Sequence, residues 1–225
     1  FLGKGVEKDA AKAADLFRQA GEEGLARGWN LLGRCYDNGN GVEESPEKAA
    51  QCYQKAAEGG FPDGLFHLGM CYIYGHSVAQ SDEQAVACLR RAAEAGHPRA
   101  ICQLGLCYES GRGVPEDIHR AAELYEQAAR MGSPEAQCNL GVLYRYGQGV
   151  EKDSAKAAEL FKSENPDAER YEVVLYGSLS KTGVGHGTDR VLVDTLAPYP
   201  TKIVFASVDP GNMKHPNTLD LIAYQ

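Results

Sequence analysis

Apolar side chains along this chain recur in two rhythms, a short helical one within segments and a long one between them. The long period is 36 residues. Gly33, Gly69, Gly105 and Gly141 mark it, as do Tyr36, Tyr72, Tyr108 and Tyr144. Gly39, Gly75, Gly111 and Gly147 follow in step, then Val42, Val78, Val114 and Val150. Farther along come Ala56-Ala57, Ala92-Ala93 and Ala128-Ala129, closed by Gly60, Gly96 and Gly132. A fixed period of this length is the signature of a repeat array. Each copy reads as helix, loop, helix. After His97-Pro98, where proline's missing N–H costs nothing, Ala100, Leu104, Cys107 and Tyr108 fall on one helical stripe. Phe61-Pro62 and Ser133-Pro134 open helices in the same way. Gly111-Arg112-Gly113-Val114-Pro115 ends the first helix; Ala121, Ala122, Tyr125, Ala128 and Ala129 line the second, and Gly132 stops it. Gly105 lies inside a helix, where glycine costs about 1 kcal/mol relative to alanine. Its recurrence predicts a neighbouring helix too close for a β-carbon.

One such hairpin cannot bury its own apolar face, whereas stacked copies bury it against each other. The pattern therefore predicts a mostly α chain. Residues 1–163 form a right-handed α-solenoid of 36-residue helix-turn-helix repeats, one partial and four near-complete. The first helix of each copy builds the concave face, and Arg34, His67, Gln103 and Asn139 are variable positions that could look into it. The period stops at Phe161-Lys162-Ser163. Residues 164–170 (ENPDAER) read as a linker. Residues 171–225 read as a small, incomplete α/β segment. Strands are expected over Tyr171–Tyr176, Ile203–Val208 and Leu219–Tyr224, with a glycine-rich loop from Gly177 to Gly187 and a short helix from Thr188 to Leu196. These 55 residues are few for an independent domain.

Charge narrows the partners. The chain of 225 residues carries a formal charge of −8, with 18 basic and 23 acidic residues before position 164 and 5 and 8 after it. Neither part offers the basic stripe that a phosphate backbone requires, so nucleic acid and anionic membrane are excluded as expected partners. No apolar run is long enough for a membrane span. Phe1 falls in mid-repeat, so the chain is expected to be a piece of a longer product. The seven cysteines all precede residue 139 and are odd in number, which suits reduced thiols used as small apolar side chains in a cytoplasmic protein. His67 and Cys71 have metal-ligand spacing. Yet Cys35, Cys71 and Cys107 share a repeat position with Leu143, and Cys52 and Cys88 share one with Leu124 and Leu160. A position that accepts either residue is a core position, and no metal is expected there. His76, His97 and His119 fall at loops or helix starts, as solvated or capping residues do. Trp29 has no aromatic equivalent in later copies; it packs on the preceding repeat or faces a ligand.

Segments such as AQCNLGVLYRYGQGVEKDSAKAAELF (136–161) resemble the Sel-one-like repeat, a relative of the tetratricopeptide repeat. That resemblance implies an adaptor or scaffold with a protein or peptide on its concave face. A second resemblance lies farther along. VVLYGSLSKTGVGHGTDRVLVDTL (173–196), followed by HPNTLDLIAY (215–224), is similar to the β region of the iron–sulfur-dependent L-serine dehydratases. It implies β-elimination of serine, with a cluster iron as Lewis acid on the leaving hydroxyl. Carried over, His186, His215 and Asn217 are the candidate catalytic residues, and Thr182, Thr188 and Asp189 shape the substrate-binding loop. The family's G-P-S-S-S-H-T segment is missing, and residues 164–225 hold no cysteine for a 4Fe-4S cluster. This chain alone is thus expected to carry no cofactor, and a dehydratase α region would have to complete the site. The loop 177–189 lacks both the Gly-Lys-Ser/Thr ending and G-x-G-x-x-G, which argues against a nucleotide. Three readings stand: a binding scaffold carrying an incomplete dehydratase-like segment, a part of an L-serine ammonia-lyase with accessory repeats, or a join of two unrelated genes.

Overall fold

A computed structural model describes residues 9–164, 170–175, 196, 201–205 and 219–224. The chain divides into two compact units, Phe1–Asp117 and Ile118–Gln225. The first contains α1 (Ala10–Glu22), α2 (Ala26–Asn38), α3 (Pro46–Glu58), α4 (Pro62–Tyr74), α5 (Asp82–Glu94) and α6 (Pro98–Ser110). The second contains α7 (Ile118–Arg130), α8 (Pro134–Tyr146), α9 (Ser154–Glu164), β1 (Arg170–Leu175), β2 (Thr201–Phe205) and β3 (Leu219–Tyr224). The fold is the α-solenoid that the 36-residue pattern predicts; the strands among the described residues are short and lie toward the C-terminal end.

The helix boundaries follow from local chemistry. α4, α6 and α8 begin at Pro62, Pro98 and Pro134. At α1, α3 and α5 a side-chain oxygen satisfies an orphan N–H of the first turn. Asp9 accepts from Lys12 N at 2.9 Å, and the Ser81 hydroxyl accepts from Gln84 N at 3.3 Å. α2, α4, α6 and α8 each end on a left-handed glycine whose N–H returns to the helix. The loop that follows is the same each time. Ser45, Ser81, Asp117 and Asp153 donate their N–H to the carbonyls of Tyr36, Tyr72, Tyr108 and Tyr144 at 2.9–3.1 Å.

One loop departs from its siblings. Gly41, Gly113 and Gly149 adopt positive φ, and a β-carbon on Gly149 would fall 2.5 Å from the Ile118 carbonyl oxygen. The second loop has Ser77 at that repeat position, forced to φ 58°. A left-handed residue other than glycine costs roughly 1–2 kcal/mol.

In the first unit each helix packs on the next, and α2 also touches α4. Ala14, Leu32, Cys35 and Cys52 form a buried cluster against which Phe17, Trp29, Tyr36 and Val42 pack. Trp29 therefore packs on the preceding repeat: its indole lies over Gly21, with the Lys55 ammonium 4.0 Å from the ring centroid. Arg112 ties distant ends together. Its Nε donates to Asp82 Oδ1 at 2.5 Å, and its Nη2 donates to the Ile73 carbonyl at 2.7 Å.

In the second unit α8 packs between α7 and α9. The sheet has strand order β2-β1-β3, with β1 parallel to β2 (Val173 opposite Ile203) and antiparallel to β3 (Val173 opposite Leu221). Three expectations shift. α9 runs on to Glu164, the first strand includes Arg170, and the second already includes Thr201, two residues before its expected start, while residues 206–208 lie outside the described ones. Of the expected Thr188–Leu196 helix, only Leu196 is described, and it is helical and buried.

The helix-interior glycines obey the packing argument unequally. A β-carbon on Gly33 would sit 2.6 Å from the Tyr53 ring, and one on Gly69 would sit 3.1 Å from Leu89 Cγ. One on Gly141 would meet Leu160 Cβ at 3.6 Å, an ordinary contact. Gly105 is buried. The recurring tyrosines are less uniform than expected. Tyr144 is buried, whereas Tyr36, Tyr72 and Tyr108 are half-buried. The fully buried tyrosines are Tyr53 and Tyr125, on the second helices.

Candidate functional site

The first helices of the repeats, α2, α4 and α6, bring polar and aromatic groups together in the first unit. His67 on α4 is the centre. Its ring stacks on Tyr53 of α3 at 4.7 Å between centroids, and its Nδ1 lies 3.0 Å from Asn30 Oδ1 on α2. Asn30 is 3% exposed. A buried amide without a partner is costly, so this bond both satisfies Asn30 and holds the imidazole. The equivalents of Asn30 in later copies are Phe66, Cys102 and Cys138. Asn30 is a lone amide in an otherwise apolar register.

The chain of contacts continues on both sides. Tyr53 donates its hydroxyl to Asp37, and Phe66 meets His67 edge-on at 5.5 Å and stacks on His97 at 4.9 Å. Arg99 lies 4.8 Å over the Phe66 ring. His97 caps α6: its Nδ1 accepts from Ala100 N at 3.1 Å, and Nε2 stands 4.0 Å from Asp63 Oδ1. Burial lowers the pKa of both histidines, against the opposing pull of Asp63. Burial and then the Asp37 bond push the Tyr53 phenol well above its ordinary value. Burial raises Cys71 to about 11, so its thiol stays protonated. Tyr53, His67 and Cys71 thus offer hydrogen-bonding and stacking surfaces in this part of the first unit.

Around them the first helices expose apolar side chains. Tyr74 and Leu106 are exposed in the first unit, Val142 and Tyr146 in the second, with the Arg145 guanidinium 5.1 Å over the Tyr146 ring. Of the variable positions singled out in the sequence, Arg34 is exposed, whereas His67, Gln103 and Asn139 are half-buried. His67 belongs to the aromatic line rather than to open solvent. Asn30 was not among the expected candidates; a lone amide in a register of Phe and Cys was the signal for it.

Cys35 and Cys52 share one core cluster, contrary to the expectation that the core cysteines stand apart. None of the seven is in a disulfide, and Cys35, Cys52, Cys88 and Cys107 are buried as expected; Cys71 is half-buried and Cys138 exposed. Among the described residues no three His, Cys, Asp or Glu side chains are arranged to hold a metal ion. No helix among them is long and apolar enough to cross a membrane. His76 is exposed and stacks on Tyr74 at 5.4 Å, and His119 Nδ1 bonds the Gly149 carbonyl at 2.8 Å. His186, His215, Asn217, Thr182, Thr188 and Asp189 lie outside the described residues.

Comparison with known proteins agrees with the repeat. The Sel1 repeat profile matches residues 1–25, 30–61, 62–97, 98–133 and 134–163. The crystal structure of a Sel1 repeat protein from Oxalobacter formigenes is 31% identical, with a TM-score of 0.65 over 72% of this chain and 47% of that one. That of c5321, a protective antigen of uropathogenic Escherichia coli strains displaying an SLR fold, is 30% identical, with a TM-score of 0.69 over 85% of this chain and 42% of that one. A Sel1 repeat protein from Klebsiella pneumoniae is 26% identical, with a TM-score of 0.52 over 68% of this chain and 73% of that one. This chain thus spans less than half the length of the first two structures. No curated protein matches it. The resemblance of 173–224 to the dehydratase β region finds no support among these comparisons.

Proposed function

Because the chain belongs to the Sel1 repeat family, whose members are protein-interaction modules, we propose that it is a scaffold binding a peptide or protein segment on the first-helix face of its repeats. One observation carries this reading. Exposed apolar side chains, Tyr74 and Leu106, sit on the first helices α4 and α6 of the first unit. The His67–Asn30 pair adds a fixed polar group to that face. Rigid, pre-ordered side chains lose little entropy on binding, which favours recognition by a preformed surface. The test is selection from a random dodecapeptide display library on the full chain. Enriched peptides should bind the wild type and weaken at least about tenfold in Leu106→Glu or Tyr74→Ala, the loss of one buried anchor. No enrichment, or enrichment indifferent to both substitutions, would sink the reading.

The second reading makes residues 171–225 the β portion of an L-serine ammonia-lyase. Favouring it, β1 and β2 run parallel, and the segment between them carries the motif. The implied 4Fe-4S cluster does not fit the residues present. Residues 164–225 contain no cysteine, and burial keeps thiols such as Cys52 and Cys107 protonated, with pKa values near 11. No catalytic step is assigned to this chain through that group.

A further inference from the structure

The residue before each first helix occupies one position of the repeat register, held in turn by Leu25, Phe61, His97 and Ser133. Leu25 and Phe61 make no side-chain cap. Ser133 Oγ accepts from Ala136 N at 3.3 Å, and His97 Nδ1 accepts from Ala100 N at 3.1 Å. An imidazole nitrogen accepts a hydrogen bond only while it carries no proton, so His97 caps α6 as the tautomer with its hydrogen on Nε2. A serine hydroxyl has no such condition. The same register position thus carries a cap that titrates near neutral pH and a cap that does not.

The surroundings of His97 offer its ring a second partner. From α4, Asp63 Oδ1 lies 4.0 Å from Nε2, and Phe66, which also meets His67, stacks on the imidazole at 4.9 Å. From α6, the Arg99 guanidinium lies 4.8 Å over the same Phe66 ring. α5 meets His97 through the backbone, the His97 N–H donating to the Ala92 carbonyl at 3.0 Å. The His97 side chain is 13% exposed, which places it out of bulk water. Burial opposes a charge on the ring, Asp63 favours it, Arg99 opposes it, and the residue's own carbonyl favours it. The Ala100 N–H also points to the His97 carbonyl at 3.1 Å, so that amide keeps one acceptor if the ring lets go.

We propose that His97 is a proton-operated latch between α4 and α6: neutral, it caps the Ala100 amide; protonated, it releases that amide and turns its charge to Asp63. One proton from solvent adds to the Nδ1 lone pair, the hydrogen bond from Ala100 N to Nδ1 is lost, and the imidazolium faces the Asp63 carboxylate. The Ala100 amide then holds on through the backbone carbonyl alone, whereas α8 keeps its serine cap at the same pH. The latch works whatever the repeats bind, because it needs only the start of α6 and one side chain of α4.

The experiment is an NMR titration of the full chain from about pH 7.5 to about pH 4.5, across the imidazole range. It reads the ring nitrogens of His97 and the backbone amides of Ala100 and Ala136. At the start the His97 proton should sit on Nε2. On acidification the Ala100 amide should move upfield with the His97 midpoint, and the Ala136 amide should not follow it. Asp63→Asn removes the second partner and should weaken proton binding to His97 by up to about fivefold, the range of an exposed ion pair. His97→Ser keeps a cap and should abolish the Ala100 titration. The proposal fails if the neutral ring carries its proton on Nδ1, if Ala100 stays still while His97 titrates, or if Ala136 follows the same midpoint. It fails equally if Asp63→Asn leaves that midpoint unchanged, or if Ala100 still titrates in His97→Ser.

Discussion

The α2–α3 hairpin and the α8–α9 hairpin are copies of one sequence pattern, yet they close differently. In the first, Gly33 presses on the ring of Tyr53, whose hydroxyl is tied to Asp37. In the last, Gly141 faces Leu160 at ordinary contact distance. A repeat signature such as a helix-interior glycine therefore records a shared ancestry of shape, not an equal demand for it at every copy. The demand is set by the opposing side chain and by how firmly that side chain is held.

This difference can be broken by substitution. Gly33→Ala drives a methyl into a ring that cannot retreat without losing its bond to Asp37, and overpacking should outweigh the gain in helix propensity, leaving a net loss of about 2 kcal/mol in urea unfolding. Gly141→Ala should reverse the sign, gaining up to about 1 kcal/mol, since the methyl meets open van der Waals distance and the helix is favoured. Equal effects at both sites would refute the unequal-closure argument. Relieving the left-handed serine should come next: Ser77→Gly is expected to gain roughly 1 kcal/mol, while Gly113→Ser, which adds the same strain, loses at least as much. Chemical denaturation of the two variants side by side decides it.

The smallest effect sharpens the contrast between the units by pH. Burial lowers the folded pKa of His67 and His97, so the unfolded chain takes up protons first as pH falls. Their contribution is complete above the ordinary imidazole range near pH 6.5 and is lost progressively below it, toward the lower folded values. The urea midpoint at pH 5 should therefore lie below that at pH 7.5. His97→Ser exchanges the ring-nitrogen acceptor at the N-cap for a hydroxyl that does not titrate in this range, and should flatten part of that slope; an unchanged slope would show that the cap does not carry it.

Much of the architecture was legible in the sequence because the determinants are local and repeated. Pro62, Pro98 and Pro134 open helices, and Gly75, Gly111 and Gly147 close them, through interactions spanning a single turn. The candidate site was less legible. Asn30 meets His67 across 37 residues, and Tyr53 meets Asp37 across a hairpin, and no local rule pairs such groups. Periodicity even misled at His67, which shares a repeat position with Leu31 and Gln103 and so looked like one more variable surface residue.

Arg112 has a consequence for how the first unit comes apart. Stacked repeats behave like a one-dimensional chain of coupled elements, in which each can melt at a cost set by its own stability and by its links to neighbours. By gripping both the end of α4 and the start of α5 from the loop after α6, Arg112 adds a link that fraying of α6 must sever. Amide protons of α4, α5 and α6 should accordingly exchange with solvent as one cooperative block. In Arg112→Ala the α6 amides would exchange ahead of the other two, because the link from the loop that follows α6 is gone.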